Sequence, residues 1–100
     1  MDLGLEGHVA LVGGASRGLG RACAEALAAE GAKTVLVARG AERVKEAAQA
    51  IARAHKADSH PFAADLAEPD ACEAAVAEAM KKFGRLDALV ANAGLSLIHI

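Results

Sequence analysis

The chain contains no tryptophan and no tyrosine, and its only aromatic residues are two phenylalanines. The absence of tyrosine removes the phenol as a proton donor anywhere in these 100 residues. Cys23 and Cys72 stand far apart and form no CxxC, which argues against a disulfide framework or a zinc site built on paired thiolates. No apolar run approaches the roughly 20 residues that cross a bilayer. Lysine and arginine number 11 against 13 acidic residues, a net charge of −2. No basic surplus is available to neutralise a phosphate backbone, so no nucleic-acid partner is expected. The start, Met1-Asp2-Leu3-Gly4-Leu5-Glu6, is acidic and lacks the positive start and continuous apolar stretch of a secretory signal. A cytoplasmic protein with no membrane partner is expected.

What the chain has in abundance is alanine. Hydrophobic residues make up 54%, too many for a disordered segment, but 27 of them are alanine. The larger apolar side chains suffice for a thin core, the size of one small domain or part of a larger one.

Periodicity divides the chain into alternating elements. His8 to Val12 is a short apolar run ending at Gly13-Gly14 and reads as a buried strand. A helix is expected from about Arg17 to Glu30, with Leu19, Cys23, Ala26 and Leu27 as its apolar stripe and Gly31 as its cap. Lys33 to Ala38 reads as a second strand. Residues 41 to 56 place Val44, Ala47, Ala48, Ile51 and Ala52 at i, i+3, i+4, i+7 and i+8, the spacing of an amphipathic helix. His60 to Ala64 reads as a third strand. Pro69 suits the first turn of a third helix, whose face carries Cys72, Ala75, Val76, Ala79, Met80 and Phe83, ending at Gly84. Leu86 to Asn92 is the fourth strand. Strands alternating with helices give an α/β fold with a parallel sheet and right-handed crossovers. The expected architecture is a Rossmann-like doubly wound sheet of order 3-2-1-4, truncated after the fourth strand.

Between the first strand and the first helix lies Gly13-Gly14-Ala15-Ser16-Arg17-Gly18-Leu19-Gly20. Glycines there let the backbone approach a pyrophosphate, and the helix N-terminus offers free N–H groups and the positive end of a dipole. The G-x-G-x-x-G spacing is not met, because Cys23 falls where the third glycine would be. G-x-x-x-G-x-G is met instead, at Gly14, Gly18 and Gly20. Ala91-Asn92-Ala93-Gly94 closes the fourth strand, and Asp65-Leu66 follows the third.

These motifs, in this order from residue 7 to residue 94, resemble the N-terminal part of a short-chain dehydrogenase/reductase, closest to bacterial members that include 3-oxoacyl-carrier-protein reductases. The family pattern is T-G-x-x-x-G-x-G, then an N-N-A-G at the end of strand four. Gly13 departs from it where the family has a threonine that ties strand one to the strand-four segment. Ala91 departs from it at the first asparagine. The resemblance implies a dinucleotide site using Gly14, Ser16, Arg17, Gly18, Leu19, Gly20, Asp65, Leu66, Asn92, Ala93 and Gly94, with Asp65 at the adenine. Ser16 stands to bond a phosphate, a ribose or only the loop itself, and Asn92 takes a structural role.

The end of strand two discriminates between cofactors. An NAD enzyme places an acid there for the ribose hydroxyls, about 20 residues past the glycines. Here Ala38 is followed by Arg39. A guanidinium pairs with the 2′-phosphate of NADP, which a carboxylate would repel. With Arg17 as a second cation, NADP(H) is expected over NAD(H). The missing acid also argues against a methyltransferase. His55 and His60 lack cysteine or carboxylate neighbours at ligand spacing, and no metal is expected. His8, Cys23, Cys72, Lys81 and Lys82 read as ordinary strand, core and helix-end residues.

The family's reaction is hydride transfer between nicotinamide and a carbonyl or alcohol, with a Tyr, a Lys four residues later and a Ser downstream of N-A-G. None of that set lies in this chain, so residues 1–94 are expected to be an inactive cofactor-binding fragment. The whole protein is expected to act on a small carbonyl or alcohol as a homo-tetramer or dimer. The alternative is a non-catalytic NADP(H)-binding module. Residues 95–100, Leu-Ser-Leu-Ile-His-Ile, match one reading frame of a transposon mosaic-end sequencing adapter and are expected to be a non-native tail. Source DNA departing from the adapter at synonymous positions would overturn that. Strand four is then expected to be a bare edge, apolar on both faces, that promotes association.

Overall fold

Five consecutive buried residues, Val9 to Gly13, form β1 (Val9–Gly13), the central strand. A strand buried on both faces carries an uninterrupted apolar run because helices cover both sides of a parallel sheet. The computed structural model describes residues 6–15, 18–91 and 96–99, with residues 91 and 96–99 described by their backbone. After β1 come α1 (Gly18–Ala29), β2 (Lys33–Ala38), α2 (Ala41–His55), β3 (Ser59–Ala63), α3 (Ala71–Phe83), β4 (Ala88–Ala91) and β5 (Ser96–His99).

The sheet order is β3-β2-β1-β4-β5. β1 pairs in parallel with β2, Gly13 opposite Val37, and with β4, Val12 opposite Val90. β2 pairs in parallel with β3. The expected order 3-2-1-4 is therefore present. The sheet does not end at β4, however. β5 runs antiparallel to β4, Ala91 opposite Ser96 and Ala88 opposite His99. Only residues 92–95 separate the two strands, too few for the crossover of about a dozen residues that a parallel neighbour requires, so an antiparallel return is the pairing open to them. The expectation of a bare β4 edge is corrected: the outer strands are β3 and β5. β3 carries Pro61, which has no N–H to offer and is tolerated on an edge.

Successive strand residues face opposite sides. Val12 and Leu36 join Ala24 and Ala28 of α1 and Val44, Ala47, Ala48 and Ile51 of α2 in one cluster. Leu11, Val35 and Val37 join Ala75 and Ala79 of α3 in the other. The α3 side is thinly covered: Cys72 is exposed and Met80 is 47% exposed, although the periodicity placed both on the apolar face. One helix cannot span the width of the sheet, so only its central alanines reach it.

In α1 the buried residues are Gly20, Ala24 and Ala28, with Cys23 and Leu27 half-buried. The expected stripe is thus corrected, for Leu19 and Ala26 are exposed. The smallest side chains face the strands because they allow the closest approach. α1 ends at Gly31, α2 at Lys56 in the left-handed region, and α3 at Gly84, whose N–H donates to the Met80 carbonyl at 2.8 Å. Asp70 precedes α3, so Pro69 lies just outside the helix.

The start of the sheet is clamped by Asp87. The Val9 N–H donates to Asp87 Oδ2 at 2.8 Å, and the Asp87 N–H donates to the Val9 carbonyl at 2.8 Å. Arg85 Nε and Nη2 donate to the two carboxylate oxygens at 2.9 and 2.6 Å. The Arg85 guanidinium, then the Val9 N–H, hold the Asp87 carboxyl below the usual carboxylate range.

Candidate cofactor site

β1 to β4 are parallel, so the segments that follow them gather at one end of the sheet, and the direction of winding reverses between β1 and β4. Crevices at such switch points are where ligands bind in open α/β sheets. Gly14 follows β1, Arg39 follows β2, Ala64-Asp65 follows β3, and residues 92–94 follow β4.

The glycine loop is shaped by three different demands. Gly14 and Gly18 have φ of 66° and 65°, where a side chain is strained. Gly18 has open space where a Cβ would be. Gly20 is buried, and a Cβ there would overlap the Gly14 carbonyl, lying 2.8 Å from its carbon. α1 can therefore begin directly against the loop. The loop is tied to β2 by the Ala15 N–H, which donates to the Val37 carbonyl at 3.2 Å. The first turn of α1 carries no acidic side chain, so nothing offsets the positive end of its dipole. Leu19 is 58% exposed beside the loop, without a core partner.

Arg39 is exposed at the end of β2, and Ala38 before it is 8% exposed. Gly40 is the N-cap of α2 and offers no side-chain cap. The stem of Arg43 lies over Gly40, its Cβ 3.8 Å from where a Gly40 Cβ would sit. Arg43 was not singled out from the sequence. Its spacing of four from Arg39 is the signal that could have found it, because only the turn at Gly40 brings the first turn of α2 back beside the strand end.

Asp65 is half-buried in a turn. Its Oδ1 accepts the Ala67 N–H at 2.9 Å, and its carbonyl accepts the Glu68 N–H at 2.9 Å. Among the described residues its Oδ2 is left for another donor. The Ala64 N–H donates to the Ala38 carbonyl at 2.9 Å, which fixes the Asp65 turn beside the Arg39 segment. Leu66 packs half-buried against the α3-side cluster. Gly14, Gly18, Leu19, Gly20, Arg39, Asp65 and Leu66 thus share one end of the sheet. Ser16, Arg17, Asn92, Ala93 and Gly94 lie outside the described residues.

The arrangement fits a dinucleotide. It offers a backbone cradle with a dipole for phosphates, an exposed guanidinium one strand away, and a carboxylate oxygen one strand further. The histidines lie elsewhere. His60 Nε2 is 2.5 Å from Glu78 Oε2, joining β3 to α3, and His55 is 3.9 Å from Glu25. Among the described residues no cluster of three His, Cys, Asp or Glu could hold a metal ion, and no helix is long and apolar enough to cross a membrane.

Comparison with known proteins agrees with this geometry. The model of the short chain dehydrogenase family matches residues 8–99. The chain is 41% identical over 95 residues to the mouse protein "Dehydrogenase/reductase SDR family member 7B", covering 92% of this chain and 29% of that one. It is 39% identical over 94 residues to the 3-oxoacyl-[acyl-carrier-protein] reductase of Escherichia coli, covering 94% and 37%. Among solved structures, L-sorbose reductase from Gluconobacter frateurii, complexed with NADPH and L-sorbose, superposes with a TM-score of 0.89 at 42% identity, over 94% of this chain and 36% of that one. An alcohol dehydrogenase from Thermococcus sibiricus, complexed with 5-hydroxy-NADP, gives a TM-score of 0.78 at 30% identity, over 83% and 35%. The chain thus spans about a third of the length of the relatives it matches. With the glycine loop, the strand order and the family model in agreement over nearly all of its length, the chain belongs to the short-chain dehydrogenase family.

Proposed function

We propose that this chain is the N-terminal, cofactor-binding part of a cytoplasmic NADP(H)-dependent oxidoreductase that interconverts a small carbonyl compound and its alcohol. The nicotinamide, when bound, supplies or takes up the hydride. This chain's residues bind and orient the cofactor. The backbone N–H groups at Gly18, Leu19 and Gly20 meet the pyrophosphate, with Ser16 beside them. Arg39, aided by Arg17, pairs with the 2′-phosphate. Asp65 and Leu66 hold the adenine. Asn92, Ala93 and Gly94 close the crevice beside β1.

The observation that carries the reading is the exposed guanidinium of Arg39 at the end of β2, where an NAD-binding chain places an acid. The relatives described with NADPH and with 5-hydroxy-NADP support it. Since the chain holds no tyrosine, residues 1–94 bind cofactor without turning it over, and residues 95–100 are a non-native tail. The whole protein assembles as a homo-tetramer or dimer. The lack of a tyrosine equally favours a second reading, a non-catalytic NADP(H)-binding module. A full-length sequence with or without Tyr-x-x-x-Lys separates the two.

The test is a fluorescence titration of the chain with NADPH and with NADH. A charge-assisted pair contributes about 1.5–3 kcal/mol, roughly 10–100-fold in affinity. Arg39→Ala is expected to lose that much for NADPH and little for NADH. Equal affinities in the parent chain, or equal losses for both nucleotides, would overturn the reading.

A further inference from the structure

We propose that Leu66 is a positioning residue for the adenine end of this site, acting as a peg that only a glycine at position 13 admits. The inference rests on the cofactor-binding reading above. Gly13 is the last residue of β1. A Cβ built on it would lie 2.5 Å from Leu66 Cδ1, closer than real Cβ contacts come. The next neighbour, the Val90 carbonyl oxygen, stands at an ordinary 3.6 Å. The terminal methyl of Leu66 therefore fills the notch that any other residue's Cβ would occupy, and Leu66 alone stands against a side chain there.

The peg matters because of what it holds. Leu66 follows Asp65 directly, in the turn closed by the Ala67 and Glu68 N–H groups. The backbone bond of Ala64 ties that turn to β2. The Leu66 methyl reaches instead to the end of β1, the residue before Gly14 and the phosphate loop. The adenine-side carboxylate and the phosphate cradle are thereby held at a fixed separation by an apolar contact across the crevice. The contact is also yielding. Cδ1 is the far end of a flexible side chain, so a methyl at position 13 displaces Leu66 and the Asp65 turn rather than the strand.

The test is a double-mutant cycle in the 100-residue chain, with Gly13→Ala, Leu66→Val, and both together. Two quantities are read: ligand-free thermal unfolding, and affinity for 2′,5′-ADP, which carries adenine and the 2′-phosphate but no nicotinamide. Gly13→Ala is expected to weaken 2′,5′-ADP on the order of tenfold, by misaligning the charged acceptor at Asp65, with a small change in melting temperature. In the double variant the shortened side chain vacates the notch, and affinity is expected to return close to that of the parent. Parent-like affinity in Gly13→Ala, additive effects with no rescue, or a loss that merely follows melting temperature would each overturn the proposal. If the parent chain itself does not bind 2′,5′-ADP, the cofactor reading falls and the positioning role with it. Non-additive melting temperatures would then still report the Gly13–Leu66 contact as a feature of packing alone.

Discussion

Gly20→Ala sets two physical arguments against each other. Gly20 lies in the first turn of α1, and an alanine in a helix is favoured over glycine by about 1 kcal/mol. Propensity alone therefore gives a more stable chain. The packing gives the opposite sign. The new methyl would overlap the Gly14 carbonyl and stand 3.1 Å from the Gly13 carbonyl oxygen. Both neighbours are backbone, so no side chain can swing aside. The loop must move, and Ala15, fully buried and donating to the Val37 carbonyl, moves with it. Overpacking costs about 1–3 kcal/mol and the disturbed hydrogen bond about 1 kcal/mol. Set against the helix gain, the net loss is about 2 kcal/mol, or roughly 10 °C for a domain of this size. Urea and thermal unfolding followed by circular dichroism read the stability, and NADPH fluorescence reads the cradle. An alanine variant as stable as the parent, with unchanged NADPH affinity, would refute the close approach on which the site geometry depends.

Two further outcomes follow from the sheet. Asp87→Ala leaves the Val9 N–H, on a residue 1% exposed, without its acceptor, and is expected to cost about 1–3 kcal/mol in urea unfolding at neutral pH. The Asp87 carboxyl is held below its ordinary range, so its contribution is present above the unfolded value near ~3.9 and is lost as pH falls through the folded value. The stability gap between parent and Asp87→Asn should accordingly be constant from pH 7 to 5 and close at more acid pH; a gap that persists there would discount the carboxylate. A chain ending at Gly94 lacks β5 and bares the β4 edge, so its sedimentation should show association that rises with concentration beyond that of the 100-residue chain. Identical sedimentation of the two would show that β5 does not cover that edge in solution.

Much of the fold was legible because the signals were local. The apolar runs at β1 and β2 and the i, i+3, i+4 spacing of Val44, Ala47, Ala48 and Ile51 lie within single elements, and the structure places these residues as their pattern implies. Gly14, Gly18 and Gly20 were legible for a related reason, since backbone conformation and close approach leave glycine as the permitted residue. In α1 an alanine-rich sequence gives a weak stripe. Leu19 and Ala26 fit the period as well as Ala24 and Ala28 do, and the side that could come closest to the strands was chosen by packing. The exposure of Cys72 and Met80 follows from how much sheet one helix can cover, which no periodicity contains.

The sequence by itself determined the alternation of strands and helices, the parallel order 3-2-1-4 and the glycines of the loop, because each depends on residues close along the chain. Tertiary structure decided the rest. It turned β5 back along β4, set the methyl of Leu66 in the notch at Gly13, brought Arg43 over Gly40, and joined Asp87 to Val9. In each, the decisive contact lies between separate elements, and it exists only once backbone geometry has fixed the distance between them.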